Sequence, residues 1–218
     1  MNRKNRGILV GMAIGDGYIC KQGQSAYSLR IEHSQKQIEY LEYKKRLLES
    51  IFGGRKINIY YRERYDRRTH SVYKQCSITK GNIYFKYLLK RLYPFGKKKY
   101  TRQILDYLTP EGIAIWYMDD GYIKSRISKK TNSISSCQTY ISTYCSAKEA
   151  QIIVDYFKEV WDIHFSIHTR KKTNSCTICA NTAESVKFIE LVAPYIIPSM
   201  NYKMEHLVKH PRVPDSNS

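Results

Sequence analysis

Two aspartates, Asp16 and Asp120, each end an apolar run of helical length and precede the same three residues, Gly-Tyr-Ile. The runs read LVGMAIGDGYI from Leu9 and IAIWYMDDGYI from Ile113. The two acids are 120 − 16 = 104 residues apart, close to half of the 218-residue chain, which indicates an internal duplication. Duplicated helices packed side by side would bring both carboxylates to a pseudo-two-fold axis, where helix dipoles and mutual repulsion disfavour them. Divalent cations would offset that repulsion.

The two runs resemble the nine-residue signature of the LAGLIDADG homing endonucleases, which aligns with residues 9–17 and 113–121. The eighth position of the signature falls on Asp16 and Asp120. That family uses the acids at this position as metal-binding catalytic residues, so the resemblance implies that both are catalytic metal ligands. It implies Mg²⁺, or Mn²⁺, as the cofactor.

Neighbours of the two acids give further candidates. Gly15 and Asp119 directly precede Asp16 and Asp120, and they complete the candidate metal-ligand set. Asp119 points about 100° away from Asp120 on a helix, which favours a structural or helix-capping role over metal binding. In the simplest structural interpretation, Gly17 and Gly121 are left-handed caps that end two buried helices.

The motif helices must approach closely if their ends are to share ions. Gly11 and Gly15, at i and i+4, give the first helix a smooth face. The second helix has Ile115 and Asp119 at the corresponding positions, which are bulkier than the small residues common in the family. We therefore expect a large-against-small fit.

The resemblance also implies two catalytic lysines. Residues 197–203, IPSMNYK, are similar to the family's C-terminal Pro-x-Met-x-Tyr-Lys segment, whose lysine reaches the active site, and Lys203 takes that role. The counterpart in the first half should lie in the lysine run 97–99. Alignment of the linker at 107–110 favours Lys98, and its two neighbours stay open.

The chain departs from the family at residues 143–145, which read Thr-Tyr-Cys where relatives commonly have Thr-Gln-Ser. A glutamine at this position would order water in the active site. Its loss predicts slow cleavage, or nicking that outpaces double-strand cutting.

Composition restricts the class of partner. The formal charge of +18, from 37 basic and 19 acidic residues, points to a polyanion, most commonly a nucleic acid. No apolar stretch approaches the ~20 residues that span a bilayer, and no segment has signal-peptide form. We therefore expect no membrane partner and an intracellular protein, not secreted, in the compartment that holds the host genome.

The six cysteines have no framework spacing and are expected to be reduced, and the lone CxxC at 176–179 does not predict zinc.

The pattern of elements repeats as helix, two strands, helix, two strands and helix. This predicts an α+β fold of two pseudo-symmetric αββαββα repeats, each with a four-stranded antiparallel DNA-binding sheet, packed through the two motif helices. The resemblance implies the same fold. Helices other than the motif helices are predicted at 35–52, 82–92, 103–108, 147–161 and 183–196. The domains are predicted as an N-terminal repeat at 1–95, a basic linker at 96–108, a C-terminal repeat at 109–210 and a disordered tail at 211–218.

Polar and apolar residues alternate along predicted strands 57–65 and 163–170, the first with Ile57, Ile59 and Tyr61 on its core face. Two such sheets on a pseudo-dyad form a saddle along the major groove, where arginine and lysine read guanine and glutamine reads adenine. The candidate base-contacting residues are Ser28, Arg30, Asn58, Tyr60, Arg62, Arg64, Lys124, Arg126, Gln138, His164, Ser166, His168 and Arg170. Candidate phosphate contacts at the hairpin tips are Arg67, Arg68, Lys171 and Lys172.

These features together predict a monomeric, Mg²⁺-dependent homing endonuclease that cleaves both strands of a long, non-palindromic DNA target. The family's geometry implies short 3′ overhangs. The alternative is an intron RNA maturase of the same fold, which assists splicing and uses its basic surface on RNA. A third candidate, a DNA-binding regulator with degenerate catalytic residues, is disfavoured because both aspartates and Lys203 are retained.

Overall fold

The structure, a computed structural model, describes residues 1–23, 26–127, 134–170 and 173–205. The predicted tail at 211–218 lies outside these residues. The first half of the chain runs from a motif helix through two pairs of strands separated by a helix, and it closes with a further helix. Its elements are α1 (Arg3–Ile14), β1 (Tyr18–Gln22), β2 (Ala26–Ser34), α2 (Ile38–Ile51), β3 (Tyr60–Asp66), β4 (Ser71–Gly81) and α3 (Tyr84–Leu92).

The second half repeats this order after a short linker helix. Its elements are α4 (Arg102–Leu105) in the linker, then α5 (Pro110–Asp120), β5 (Gly121–Ile127), β6 (Ile134–Ser142), α6 (Ala147–Trp161), β7 (Phe165–Arg170), β8 (Ser175–Ala180) and α7 (Thr182–Val192). Short 3₁₀ turns at Gln35–Gln37, Ala193–Tyr195 and Pro198–Lys203 complete the described elements.

The two sheets have the same topology. Their strand orders are β1-β2-β4-β3 and β5-β6-β8-β7, and every pairing is antiparallel. The predicted α+β fold of two αββαββα repeats, each with a four-stranded antiparallel sheet, is therefore confirmed.

Local sequence signals explain where the helices of the second half begin and end. Thr109 accepts a hydrogen bond from the Gly112 N–H at 3.3 Å, so α5 begins with a threonine cap and a proline. A capping box of Ser146 and Glu149 starts α6, which spans the predicted residues 147–161. The last helix ends at Val192, earlier than the predicted residue 196, because the next residues turn into a 3₁₀ segment that contains a proline.

Helices α1 and α5 meet through glycine. A Cβ at Gly11 would overlap the carbonyl oxygen of Gly112, and a Cβ at Gly15 would overlap the carboxylate of Asp119. The expected large-against-small fit therefore holds at Gly15, whereas Gly112, and not Ile115, faces Gly11. The helices can approach this closely only because these positions lack side chains.

The glycines after the two acids are not left-handed caps. Gly121 has φ −86°, and Gly17 is absent from the glycines with positive φ. Both are needed for space. A Cβ at Gly17 would overlap the Met12 carbonyl oxygen, and one at Gly121 would overlap the Tyr117 ring.

A continuous buried core joins the two halves. Trp116 of α5 stacks on Tyr100 of the linker at 5.7 Å and on Phe157 of α6 at 6.2 Å, measured between ring centroids.

All six cysteines are free thiols. Within the described ranges, no helix is long and apolar enough to cross a membrane.

Candidate functional site

Asp16 and Asp120 line one cavity of about 280 Å³, although they come from different halves of the chain. Asp16 lies two residues beyond the end of α1, and Asp120 is the last residue of α5. The close packing of these two helices is what brings the acids to the same cavity. Its other lining residues are Ile14, Gly15, Lys98, Tyr100, Thr143, Tyr144 and Cys145.

The cavity disfavours negative charge on both acids. Burial raises the pKa of Asp120 to about 7, and the negative charges of Asp16 and Asp119 add to this effect, while Lys98 and Lys203 act against it. Burial and then Asp119 also raise the pKa of Asp16. A bound cation would therefore stabilise the negative charges of the two carboxylates in this environment.

A lysine lies at the end of each motif helix. Lys98 Nζ donates to the carbonyl oxygens of Gly15 at 2.9 Å and Ile14 at 3.2 Å. Lys203, which is 9% exposed, donates to the carbonyl oxygens of Met118 and Asp119. Burial lowers the pKa of both ammonium groups, and the nearby aspartates oppose that shift.

The lysine run of the linker is divided between two sites. Lys98 reaches the end of α1, whereas Lys99 Nζ pairs with Glu149 at 3.3 Å. The chain therefore turns the two neighbouring side chains toward different elements, and Lys98 is the one that lines the cavity.

Asp119 makes protein contacts through both of its carboxylate oxygens. Oδ2 accepts a hydrogen bond from the Asp16 N–H at 3.0 Å, and Oδ1 accepts one from Lys44 Nζ at 2.5 Å. The side chains of Lys44 and Asp119 are both 0% exposed. These are structural contacts, through which Asp119 binds the backbone just beyond the C-terminal end of α1. Gly15, also a candidate metal ligand, has its carbonyl oxygen occupied by Lys98.

Sequence reasoning missed Lys44 and His33. His33 Nδ1 lies 3.5 Å from Asp16 Oδ2, and its Nε2 lies 3.1 Å from Lys44 Nζ. Burial and the Lys44 charge lower the pKa of His33 to about 3. A signal was present for the lysine, since Lys44 shares one face of α2 with buried Leu41 and Leu48, where a lysine requires a partner.

The donors at the cavity suit a hard divalent cation. Oxygen ligands are those that Mg²⁺ prefers, and burial, together with the neighbouring acids, raises the pKa of both carboxyl groups. Among the described residues, Asp16, His33 and Asp119 also place ligand atoms within 4.8 Å of one another. Because Lys44 already pairs with Asp119, we consider Asp16 and Asp120 the better pair to hold the ion.

The segment that departs from the family pattern lies at the cavity. Tyr144 has a left-handed backbone, φ 51°, and its side chain is 65% exposed, with the Arg170 guanidinium 5.4 Å from its ring centroid. Thr143 turns inward and donates to the Cys176 carbonyl at 2.8 Å. Cys145 is buried, which raises its thiol pKa to about 11. The position expected to carry glutamine thus holds an exposed tyrosine.

In the first sheet, pairing register places most of the candidate residues on one face. Tyr60 and Arg62 pair with Ser77 and Gln75 of β4, so they share a face with Arg30. Arg62, Arg64 and Arg30 are exposed there, and Arg67 and Arg68 are exposed at the hairpin tip. Arg30 also pairs with Glu32 of the same face at 2.9 Å.

Three expectations for this sheet require correction. Ser28 is on the polar face but is 2% exposed, because the Cys20 thiol of the neighbouring strand covers its hydroxyl at 3.2 Å. Strand β3 begins at Tyr60, so Asn58 precedes it; the Ile57 N–H donates instead to Glu49 of α2 at 2.7 Å. Tyr61 lies on the expected side of the sheet, opposite buried Cys76, but it is not part of the core: the edge strand β3 is exposed along almost its whole length, and Tyr61 is 60% exposed.

The second sheet brings its candidate residues together on one face. Lys124 pairs with Gln138, and Arg126 with Ser136. Ser166 and His168 alternate with buried Phe165 and half-buried Ile167 along β7, and both residues at the end of the strand, Thr169 and Arg170, are exposed. Tyr122 and Tyr140 stack at 5.0 Å beneath the Lys124 ammonium group. His164 precedes β7 and is exposed beside Glu184, 3.5 Å away. Lys171 and Lys172 lie outside the described residues.

Comparison with known proteins gives a consistent family match. A sequence profile of the LAGLIDADG DNA endonuclease family matches residues 6–188. Among solved structures, the chain is similar to the homing endonuclease I-WcaI bound to its DNA recognition sequence, with a TM-score of 0.78 and 25% identity. The match covers 93% of this chain and 86% of that one.

Two curated relatives match nearly all of this chain over part of their own length. Protein RecA of Mycolicibacterium flavescens is 27% identical over 206 residues, which cover 90% of this chain and 45% of the relative. The cytochrome b mRNA maturase bI2 of Saccharomyces cerevisiae is 26% identical over 219 residues, which cover 94% of this chain and 48% of the relative. The chain thus spans about half the length of these two relatives.

Proposed function

The chain belongs to the LAGLIDADG DNA endonuclease family, and on that basis we propose that it is a site-specific homing endonuclease. It hydrolyses both strands of a long, non-palindromic DNA target with a divalent metal ion and leaves short 3′ overhangs. The observation that carries this proposal is the shared cavity, to which each half of the chain contributes one aspartate. A lysine also binds the last carbonyl groups of each motif helix close to these acids. Hydrolysis of a phosphodiester bond needs such acids, to hold a metal ion, and nearby positive charge.

The residues of the cavity have distinct roles in this proposal. Asp16 and Asp120 would hold a divalent ion, Mg²⁺ or Mn²⁺, which would activate water and polarise the phosphate. Lys98 and Lys203 provide positive charge near the reacting phosphates, where the leaving 3′ oxygen develops negative charge. Tyr144, at the position where relatives commonly have glutamine, lines the cavity with an exposed side chain.

The two sheets bind the DNA. Their polar faces carry arginine, lysine, glutamine and histidine side chains, and the chain has a net charge of +18. Exposed side chains on the strands read base edges in the major groove, whereas Arg67 and Arg68 at a hairpin tip contact phosphates. The relative I-WcaI, bound to its DNA recognition sequence, supports DNA as the partner of this chain.

One chain is sufficient for activity in this proposal, since it carries both acids. The repeats are proposed to span 1–95 and 109–210, joined by the basic linker 96–108. The active species is a monomer with pseudo-two-fold symmetry, and it acts in the compartment that holds the host genome.

A second function is favoured by one specific observation. The maturase bI2 of yeast aligns with 94% of the chain, so the same fold and charge could assist splicing of an intron RNA. The cavity supports the nuclease as the first candidate, because RNA binding requires no pair of acids from the two halves in one cavity.

The test is cleavage of a randomised DNA library with Mg²⁺, followed by sequencing of the ends. We expect paired ends at one recurring, asymmetric site, with short 3′ overhangs, and no ends from the Asp16→Asn/Asp120→Asn variant. A protein that binds intron RNA and leaves every duplex intact would overturn the nuclease proposal in favour of the maturase.

A further inference from the structure

Asp16 and three other residues form a closed ring of polar contacts. The Asp16 N–H donates to Asp119 Oδ2 at 3.0 Å, and Asp119 Oδ1 accepts from Lys44 Nζ at 2.5 Å. Lys44 Nζ lies 3.1 Å from His33 Nε2, and His33 Nδ1 lies 3.5 Å from Asp16 Oδ2. The ring therefore contacts both the backbone and the carboxylate of Asp16.

The ring joins the two halves of the chain. His33 is on β2 and Lys44 on α2, whereas Asp119 is on α5 of the second half. Both charged side chains of the Lys44–Asp119 pair are fully buried. A buried ion pair is weak support for stability, because desolvation of two charges offsets their attraction. Its clearer consequence is geometric, since a short buried contact fixes the carboxylate that holds Asp16.

Asp120 has no equivalent ring among the described residues. The position equivalent to Asp119 is Gly15, and a Cβ there would overlap the Asp119 carboxylate, so only one half has room for this acid. The pairings Tyr18 with Arg30 and Tyr122 with Tyr140 make Thr143 the equivalent of His33. Thr143 donates away from the acids, to the Cys176 carbonyl.

We propose that Asp119, Lys44 and His33 are positioning residues that hold Asp16 in place and make the two halves of the active centre unequal. The proposal rests on the proposed endonuclease function, in which each half cuts one strand. Cleavage of the strand that depends on Asp16 requires the ring. Cleavage of the strand that depends on Asp120 does not.

Strand-resolved cleavage of the mapped target in a supercoiled plasmid tests this asymmetry. The variants are Lys44→Met, Asp119→Asn and the double variant, with end-labelled duplexes to identify the cut strand. We expect nicked circles to accumulate, with one strand, always the same, cut at least tenfold more slowly than by the wild-type protein. The other strand should be cut within threefold of the wild-type rate.

The double variant separates positioning from stability. It leaves no buried charge without a partner, so its melting temperature should recover most of the loss seen in the single variants. The strand bias should nevertheless persist. Ser185→Ala is the matched control, because it removes a buried hydroxyl that accepts from the Thr139 N–H at 2.8 Å, away from the acids. It should lower stability without strand bias.

A second readout does not depend on cleavage. In the metal-free protein, Lys44→Met should raise amide hydrogen exchange at Asp16 at least tenfold relative to the amide of Thr139. Equal slowing of both strands, loss of the bias in the double variant, or unchanged Asp16 exchange would overturn the positioning role. Failure of the wild-type protein to cut any DNA would instead overturn the proposed function, and the exchange measurement would still decide the role of the ring.

Discussion

Lys98 and Lys203 donate to equivalent carbonyl groups in the two halves of the chain. Lys98 reaches Ile14 and Gly15, and Lys203 reaches Met118 and Asp119, the residues at the same two positions of the repeated motif. The two lysines follow their motif acids by similar lengths of chain, 98 − 16 = 82 and 203 − 120 = 83 residues, although the sequences around them differ. Their shared placement shows that the duplication extends beyond the motif helices to the groups that neutralise their ends.

Removal of either lysine should slow cleavage. Lys98→Met and Lys203→Met each remove a positive charge next to the acids, and we expect the rate to fall roughly 100-fold, the loss typical for one charge-stabilising donor. Because the lysines are equivalent, the two variants should slow opposite strands. The measurement is a single-turnover cleavage assay with strand-specific labels.

Lys99→Met is the matched control for the lysine prediction. Its side chain is next in sequence but pairs with Glu149 on α6. It should retain cleavage within a few-fold of the wild-type rate. If Lys99→Met were as slow as Lys98→Met, the effect would come from the total charge of the linker and not from the cavity.

The aspartates should be required for chemistry but not for binding. Asp16→Asn or Asp120→Asn should lower double-strand cleavage at least about 100-fold, because an amide is a poorer ligand for a hard cation. Affinity for the target DNA, measured with Ca²⁺ by a mobility-shift assay, should stay within a few-fold. Cutting of both strands at the wild-type rate by either variant would exclude these residues as the metal ligands.

The stability of the metal-free protein should depend on Asp120 and pH. Burial raises the folded-state pKa of Asp120 to about 7, above its unfolded value of 3.8. The neutral acid is tolerated at low pH, so its contribution to stability is fully present below pH 3.8, falls as the pH rises from there to about 7, and is lost above 7. Asp120→Asn should therefore raise the melting temperature by several degrees at pH 8 and by less at pH 4.5, as measured by calorimetry in EDTA.

Two observations would contradict the pH prediction. One is an equal shift in melting temperature at both pH values. The other is a similar pH dependence for Asp106→Asn, a substitution of a half-exposed acid that pairs with Arg102 on the linker helix. Saturating Mg²⁺ should remove the higher melting temperature of Asp120→Asn relative to the wild-type protein, because the ion offsets the charge of the wild-type carboxylate.

Arginines on the strands and at the hairpin tip should behave differently. Arg62→Ala and Arg170→Ala should relax base preference at one position each, at about 1–3 kcal/mol if a bidentate guanine contact is lost. Arg67→Ala should weaken binding to all sequences and reduce the salt slope by about 0.9. Binding titrations on single-base variants of the target at several salt concentrations distinguish the two classes. The same behaviour from both would mean that the strands do not read bases.

Local signals in the sequence predicted the parts of the fold that depend on neighbouring residues. The capping box of Ser146 and Glu149 fixed the start of α6, and Thr109 with Pro110 fixed the start of α5. Alternation along the predicted strand 163–170 predicted buried Ile163 and Phe165. In each of these cases, the residues that determine the element lie within a few positions of it.

Features set by the packing of distant elements were not predicted. The offset that brings Gly112 to Gly11 depends on how two helices cross, and the burial of Ser28 depends on a side chain from the next strand. The contact between Lys44 and Asp119 spans 75 residues. The sequence showed only that a lysine lies on the apolar face of α2, without a way to identify its partner.

The central claim is that two unlike halves of one chain form a single active centre on an asymmetric target. The most direct test compares cleavage rates on the mapped target with rates on two palindromes, each built from one of its half-sites. By strand pairing, Tyr60 of the first half is equivalent to His168 of the second, so the two halves present different side chains to their half-sites. The mapped target should therefore be cut at least tenfold faster than either palindrome, since mismatched base pairs cost about 1–3 kcal/mol each. Equal or faster cleavage of a palindrome, by a species that sediments as a dimer of the 25.7 kDa chain, would contradict the account.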